Sequence, residues 1–146
     1  MKTTNELPVM SQIGVIFLAW RRRLQKRILP QGITLKQLYV LRQLQKNEAL
    51  APSHIADMLF SDRPTATYIL NIMKRYGWIE RGKDPRNLRM RLVRLTETGK
   101  EKLNSLSGFT LEPAFDPMGC FTQEERRQFE DLLSKLFHHI KTMPDE

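Results

Sequence analysis

The sequence has little of what enzyme, metal and export chemistry require. Cys120 is the single cysteine, so neither an intrachain disulfide framework nor a multi-cysteine zinc site can form, and a cytoplasmic setting is the simplest reading. His54, His138 and His139 are the only histidines. The last two are chain neighbours, which a helix turns about 100° apart, a poor arrangement for sharing a metal. No Gly-rich phosphate loop, nucleophile elbow or His-Glu-x-x-His run is present. Catalytic residues, cofactor and metal are therefore all expected to be none. The apolar run over residues 13–20 is too short to span a bilayer, and Arg21, Arg22 and Arg23 follow it instead of preceding it as in a secretory signal. No membrane partner is expected. Internal repeats and low-complexity tracts are also lacking.

What is present is positive charge. The 146 residues carry a net charge of +8, which favours an anionic partner without choosing among DNA, RNA and an acidic membrane. The length suits one domain with its own core. Charge and pattern come together over residues 61–96. A short helix is punctuated at both ends: Ser61 or Asp62 can cap its start, Pro64 falls in the first turn where a missing donor costs little, and Gly77 stands past its end. Ala66, Ile69, Leu70 and Met73 recur at the spacing of a buried stripe. The other face holds Arg63, Thr65, Thr67, Tyr68, Asn71, Lys74 and Arg75, with no acid after Asp62. A merely solvated helix would mix Glu with Lys, because like charges one turn apart repel. This face expects a negative partner, and Arg and Asn are the side chains that pair with guanine and adenine edges.

Residues 78–81 and 90–95 read as short strands joined by a long polar tip over residues 82–87. The inward face of the second strand is ambiguous, since Val93 and Leu95 have one parity and Met90 and Leu92 the other. Arg81, Lys83, Arg86, Arg89, Arg91 and Arg94 are opposed in this hairpin only by Glu80 and Asp84. Such an excess suits a phosphate backbone, and a tip arginine suits a narrow minor groove.

The run PTATYILNIMKRYGWIER, then DPRNLR, then VRLTETG resembles the recognition helix and wing of the MarR family of winged helix-turn-helix transcription regulators. The wing motif of that family, Asp-x-Arg-Asp-x-Arg ahead of Val-x-Leu-Thr-x-x-Gly, is met by Asp84, Arg86, Arg89, Val93, Leu95, Thr96 and Gly99. Asn87 departs from it, standing where the second Asp is expected. Asn keeps the acceptor and loses the charge, so an ion pair at the tip would be weakened.

The remaining chain extends the resemblance. Residues 9–29 read as a helix with Val9, Ile13, Ile16, Phe17, Trp20, Leu24 and Ile28 along one side, broken by Pro30 and Gly32. Thr34 and Gln37 form a capping box ahead of Leu35, Leu38, Leu41 and Leu44. A short helix follows, with Ser53 as its expected cap and Ile55, Met58 and Leu59 turned inward. With the next helix it makes a helix-turn-helix. Thr96 can cap a helix carrying Leu103 and Leu106, residues 107–120 read as irregular, and Thr122 with Glu125 caps a last helix bearing Phe129, Leu132, Leu133, Leu136, Phe137 and Ile140.

The expected fold is mainly α with a small β-wing: a winged helix-turn-helix lobe over residues 34–96 and a helical dimerisation region over 1–33 and 97–146. The resemblance implies a homodimer that binds double-stranded DNA at a pseudo-palindromic operator as a ligand-responsive repressor. The alternative is a winged helix module for non-specific nucleic-acid or protein-partner binding. Arg63, Thr65, Thr67, Tyr68, Asn71 and Lys74 are the recognition-helix candidates; Lys83, Asp84, Arg86 and Arg89 are those of the wing, with Asp84 holding its shape. The resemblance further implies a small anionic aromatic effector, for which Trp20, Arg21, Tyr39 and Arg42 are candidate pocket residues.

Overall fold

Side-chain hydrogen bonds of Thr34, Asp62, Thr96 and Thr122 mark the starts of four helices. The computed structural model describes residues 6–110 and 115–145, and the chain divides into two compact units, Met1–Thr110 and Leu111–Glu146. The first unit runs α1 (Val9–Ile28), a 3-10 turn (Leu29–Gln31), α2 (Leu35–Lys46), α3 (Pro52–Met58), α4 (Arg63–Arg75), β1 (Ile79–Asp84), β2 (Asn87–Leu95) and α5 (Glu97–Thr110). The second holds α6 (Gln123–Thr142). This is the expected mainly α architecture with a small β-wing.

Both predicted capping boxes form. At α2 the Thr34 hydroxyl accepts the Gln37 N–H at 3.2 Å and the Gln37 side chain accepts the Thr34 N–H at 3.0 Å. At α6 the corresponding bonds of Thr122 and Glu125 are 3.2 and 3.1 Å. Each box satisfies two donors that a helix start leaves unpaired. Gly77, at φ +74°, lets the chain leave α4: its N–H donates to the Lys74 carbonyl at 2.9 Å and the Trp78 N–H to that of Met73 at 3.0 Å.

Three local expectations are corrected. Ser53 does not cap α3, which starts at Pro52 with Ala51 extended ahead of it. Proline drives the preceding residue out of helical geometry and itself fits the first helical position, so the cap falls on Ala51 and the helix begins two residues earlier. Residues 107–110 are helical, because Leu103 and Leu106 are buried and carry α5 past Gly108; residues 111–114 lie outside the described residues. The wing tip is not a long loop: β1 reaches Asp84, β2 begins at Asn87, and only Pro85 and Arg86 lie between them.

The core of the first unit gathers Ile28, Leu41, Ile55, Leu70, Met73 and Val93, all fully buried. Burying each is worth roughly 1.5–3 kcal/mol relative to exposure. Val93 settles the register of β2, pairing with Arg81 across the hairpin and bridging to Leu50 on its other side. Met90 is exposed, so the parity of Val93 and Leu95 faces inward. On α1 only Leu24 and Ile28 are buried, while Val9, Ile16 and Phe17 are exposed. In the second unit Arg126 bonds Asp116 and the rings of Phe121 and Phe129 lie 5.4 Å apart. Phe129, Leu132, Leu133, Phe137 and Ile140 of α6 are exposed.

Candidate nucleic-acid interface

The start of α4 is fixed by Asp62, whose carboxylate accepts the Thr65 N–H at 2.7 Å. Of the two caps the sequence allowed, Asp62 is the one used. The backbone hydrogen bond from Thr65, more than the nearby Lys36 charge, holds the Asp62 carboxyl below its ordinary range. Ala66, Leu70 and Met73 are buried and Ile69 is half-buried, as the stripe predicted. Their burial fixes the rotation of the helix. It leaves Arg63, Thr65, Thr67, Tyr68, Asn71 and Lys74 exposed together along the outer side.

The wing tip is shaped by side-chain bonds to its own backbone. Asp84 accepts the Arg86 N–H at 2.9 Å, and Asn87 accepts the Arg89 N–H at 3.2 Å. Asn87 thus does with a neutral amide what needs only an acceptor, so its departure from the family motif leaves this bond intact. Lys83, Arg86 and Arg89 are exposed and Asp84 is half-buried.

One link joins helix and wing. Arg81 on β1 donates from Nη2 to the Asn71 Oδ1 at 3.1 Å, while its Nε is buried without a partner. In the sequence Arg81 reads only as wing charge, with nothing to mark its contact with Asn71. The two residues meet only because the Gly77 turn brings β1 back along α4. A second omission is Lys36, in the first turn of α2, whose ammonium donates to the Ser61 hydroxyl at 3.0 Å, just ahead of the Asp62 cap. No local signal links residues this far apart in sequence.

The four candidate effector residues sit on α1 and α2, two helices that pack together. Trp20 is half-buried; Arg21, Tyr39 and Arg42 are exposed, and desolvation draws the Arg42 guanidinium below its ordinary value. A groove of about 550 Å³ on the same unit is lined by Leu44, Lys46, Glu48, Glu80, Arg94 and Lys100 among others, and by none of the four. His54, His138, His139 and Cys120 are exposed, and no cluster of His, Cys, Asp and Glu fit for a metal occurs among the described residues.

Comparison with known proteins agrees with this arrangement. A sequence profile of the MarR family matches residues 31–90, from the turn before α2 into β2. The transcriptional repressor MprA of Escherichia coli K12 is 28% identical over 123 residues, 83% of this chain and 70% of MprA. The structure of an E. coli MarR variant complexed with operator DNA superposes with a TM-score of 0.76 at 23% identity, over 93% of this chain and 98% of that one. BpsR of Bordetella bronchiseptica, whose DNA binding is regulated by 6-hydroxynicotinic acid, gives a TM-score of 0.75 at 21% identity, over 88% of this chain and 92% of BpsR. The wing motif, the capped α4 and the shared fold thus make the chain similar to MarR-family proteins, with the family profile covering residues 31–90.

Proposed function

We propose that this protein is a transcription regulator, not an enzyme, that binds double-stranded DNA sequence-specifically as a homodimer. The observation that carries the reading is the α4 face from Arg63 to Lys74, exposed and acid-free, set beside a hairpin whose tip presents Lys83, Arg86 and Arg89. In this reading Arg63, Thr65, Thr67, Tyr68 and Asn71 meet base edges in the major groove. Lys74, Lys83, Arg86 and Arg89 meet phosphates or the adjacent minor groove, and Asp84 holds the tip. The relatives support it: MprA is named a repressor, and the MarR variant was solved on its operator.

Residues 34–96 form the DNA-binding lobe, and residues 1–33 and 97–146 the dimerisation region. The exposed apolar faces of α1 and α6 are what a second subunit would cover. Two-fold symmetry then asks for a pseudo-palindromic operator with half-sites about one helical turn apart. A small anionic aromatic effector would release DNA only by binding the DNA-incompetent state more tightly, with Trp20, Arg21, Tyr39 and Arg42 as its pocket candidates. The BpsR precedent supports an effector of that class. No helix among the described residues is long and apolar enough to cross a membrane, in keeping with a regulator acting in the cytoplasm.

The test is the salt dependence of duplex binding for wild type and Arg86→Ala. Losing one phosphate contact should weaken binding and flatten the slope of log K against log salt by up to about 0.9. Unchanged affinity and slope would remove the wing from the interface.

A further inference from the structure

At the turn joining α3 to α4 the chain holds a residue that the backbone does not favour. Phe60 has φ +48° and its side chain is 84% exposed. The Phe60 N–H donates to the Asp57 carbonyl and the Ser61 N–H to the Ala56 carbonyl, both at 3.1 Å. In this helix-ending arrangement the left-handed position is usually glycine, because a Cβ there crowds the backbone. The residue after it is usually apolar and packs back on the helix. Here it is Ser61, whose hydroxyl accepts from Lys36 instead. The turn therefore carries a backbone cost that the exposed ring does not recover by burial. Local strain retained beside a functional surface is a reason to look for a contact made by the strained residue.

Phe60 and Ser61 lead directly into Asp62, the cap of α4, so the ring and the Lys36 ammonium lie beside the end of the helix assigned to the groove. Arg63 adds a further exposed cation. Of the nearby acids, Asp57 is exposed on α3, and the Asp62 carboxylate is engaged by the Thr65 N–H. We propose that Phe60 and Lys36 form a second contact patch for the sugar–phosphate backbone of duplex DNA, with the ammonium on a phosphate and the ring against a deoxyribose. The patch rests on the DNA-binding reading above and extends it beyond α4 and the wing.

Backbone contacts are independent of sequence, so the probe is a generic duplex of about 30 base pairs, bound at several salt concentrations and followed by anisotropy. Lys36→Ala should lower affinity and reduce the salt slope by up to about 0.9, one phosphate's share. Phe60→Gly should lower affinity about three- to tenfold with the slope unchanged, since an apolar contact displaces no counterion. Its Tm should equal the wild-type value or exceed it by about 2 °C, because glycine is at ease in the left-handed region; misfolding would then not explain the loss. Phe60→Leu should keep most of the affinity. Replacing thymine by deoxyuridine in the probe removes the 5-methyl groups and should leave the Phe60 effect intact. If that effect disappears, the ring meets a base and the sugar assignment is overturned. If wild type binds and both variants bind like it, the patch alone is overturned. If wild type shows no salt-dependent duplex affinity, the DNA-binding reading falls first and the patch with it.

Discussion

Gly99→Ala should destabilise the protein, whereas Gly108→Ala, further along the same helix, should not. At Gly99 an added Cβ would lie 2.1 Å from the Trp78 carbonyl oxygen, 3.0 Å from its carbon and 2.8 Å from Leu95 Cδ1. Comfortable separations between such atoms are about 3.5 Å. Leu95 can rotate away, but the Trp78 carbonyl accepts the Thr96 N–H at 3.1 Å. Thr96 in turn accepts the Gly99 N–H at 3.0 Å and donates its hydroxyl to the Gly77 carbonyl. The start of α5 must therefore move off the entry to the wing. Overpacking costs about 1–3 kcal/mol, and the strained hydrogen bond about 1 more. The better helix propensity of alanine returns about 1 kcal/mol. A net loss of about 1–3 kcal/mol corresponds to a fall in Tm of roughly 3–10 °C for a chain of this size. At Gly108 nothing lies within 4 Å of the added carbon, so alanine should leave Tm unchanged or raise it by about 2–4 °C. Thermal melts followed by circular dichroism, at matched protein concentration because self-association shifts Tm, compare the two variants directly. A Gly99→Ala protein melting within about 2 °C of wild type would refute the packing of α5 on the wing entry.

Leu70 is fully buried on the inner side of α4, so Leu70→Ala should cost about 2–5 kcal/mol, read as a lower urea midpoint; a change under about 1 kcal/mol would mean that α4 is not seated as described. Asp62→Ala should lower Tm at neutral pH by removing the α4 cap. Because the folded Asp62 carboxyl titrates below its ordinary value, its contribution is complete above that ordinary value and fades as pH falls through the folded one. The Tm difference between wild type and Asp62→Ala should therefore shrink in acid, and a difference independent of pH would contradict the capping bond. Asn71→Ala should relax preference at one base position. Arg81→Ala should relax the same position by freeing the Asn71 amide, whereas loss of a plain phosphate contact would weaken all sequences alike. Competition binding against single-base operator variants separates the two outcomes.

The boundaries of α4 were legible because Asp62, Pro64 and Gly77 act on the backbone within a few residues of themselves. The capping boxes of α2 and α6 were legible for the same reason. The turn before α3 carried an equally local signal in Pro52, which outranks the hydroxyl of Ser53 as the mark of the helix start. In the sequence the wing tip reads longer than it is, because Gly82 and Pro85 signal a loop. Whether the strands pair up to Asp84 and Asn87 is decided across the hairpin, by register and by the bonds those two side chains make to the tip. Residues 107–110 stayed helical against Gly108 because tertiary burial of Leu103 and Leu106 outweighs one unfavourable residue. The Asn71 to Arg81 and Lys36 to Ser61 contacts leave no periodic trace, since each joins elements that only the fold brings together. For α1 and α6 the apolar spacing marked a face to be covered, but periodicity does not say by what.

The central claim, that the α4 face and the wing read a two-fold symmetric duplex, is tested most directly by selecting bound fragments from random double-stranded DNA with the purified protein at about physiological salt. The account predicts enrichment of a palindromic motif with half-sites about one helical turn apart, and loss of that enrichment at one position in each half-site for Asn71→Ala. Recovery of unenriched sequence by the wild-type protein would contradict it, with the assignment of Arg63 to Asn71 as base-contacting residues the first to be withdrawn.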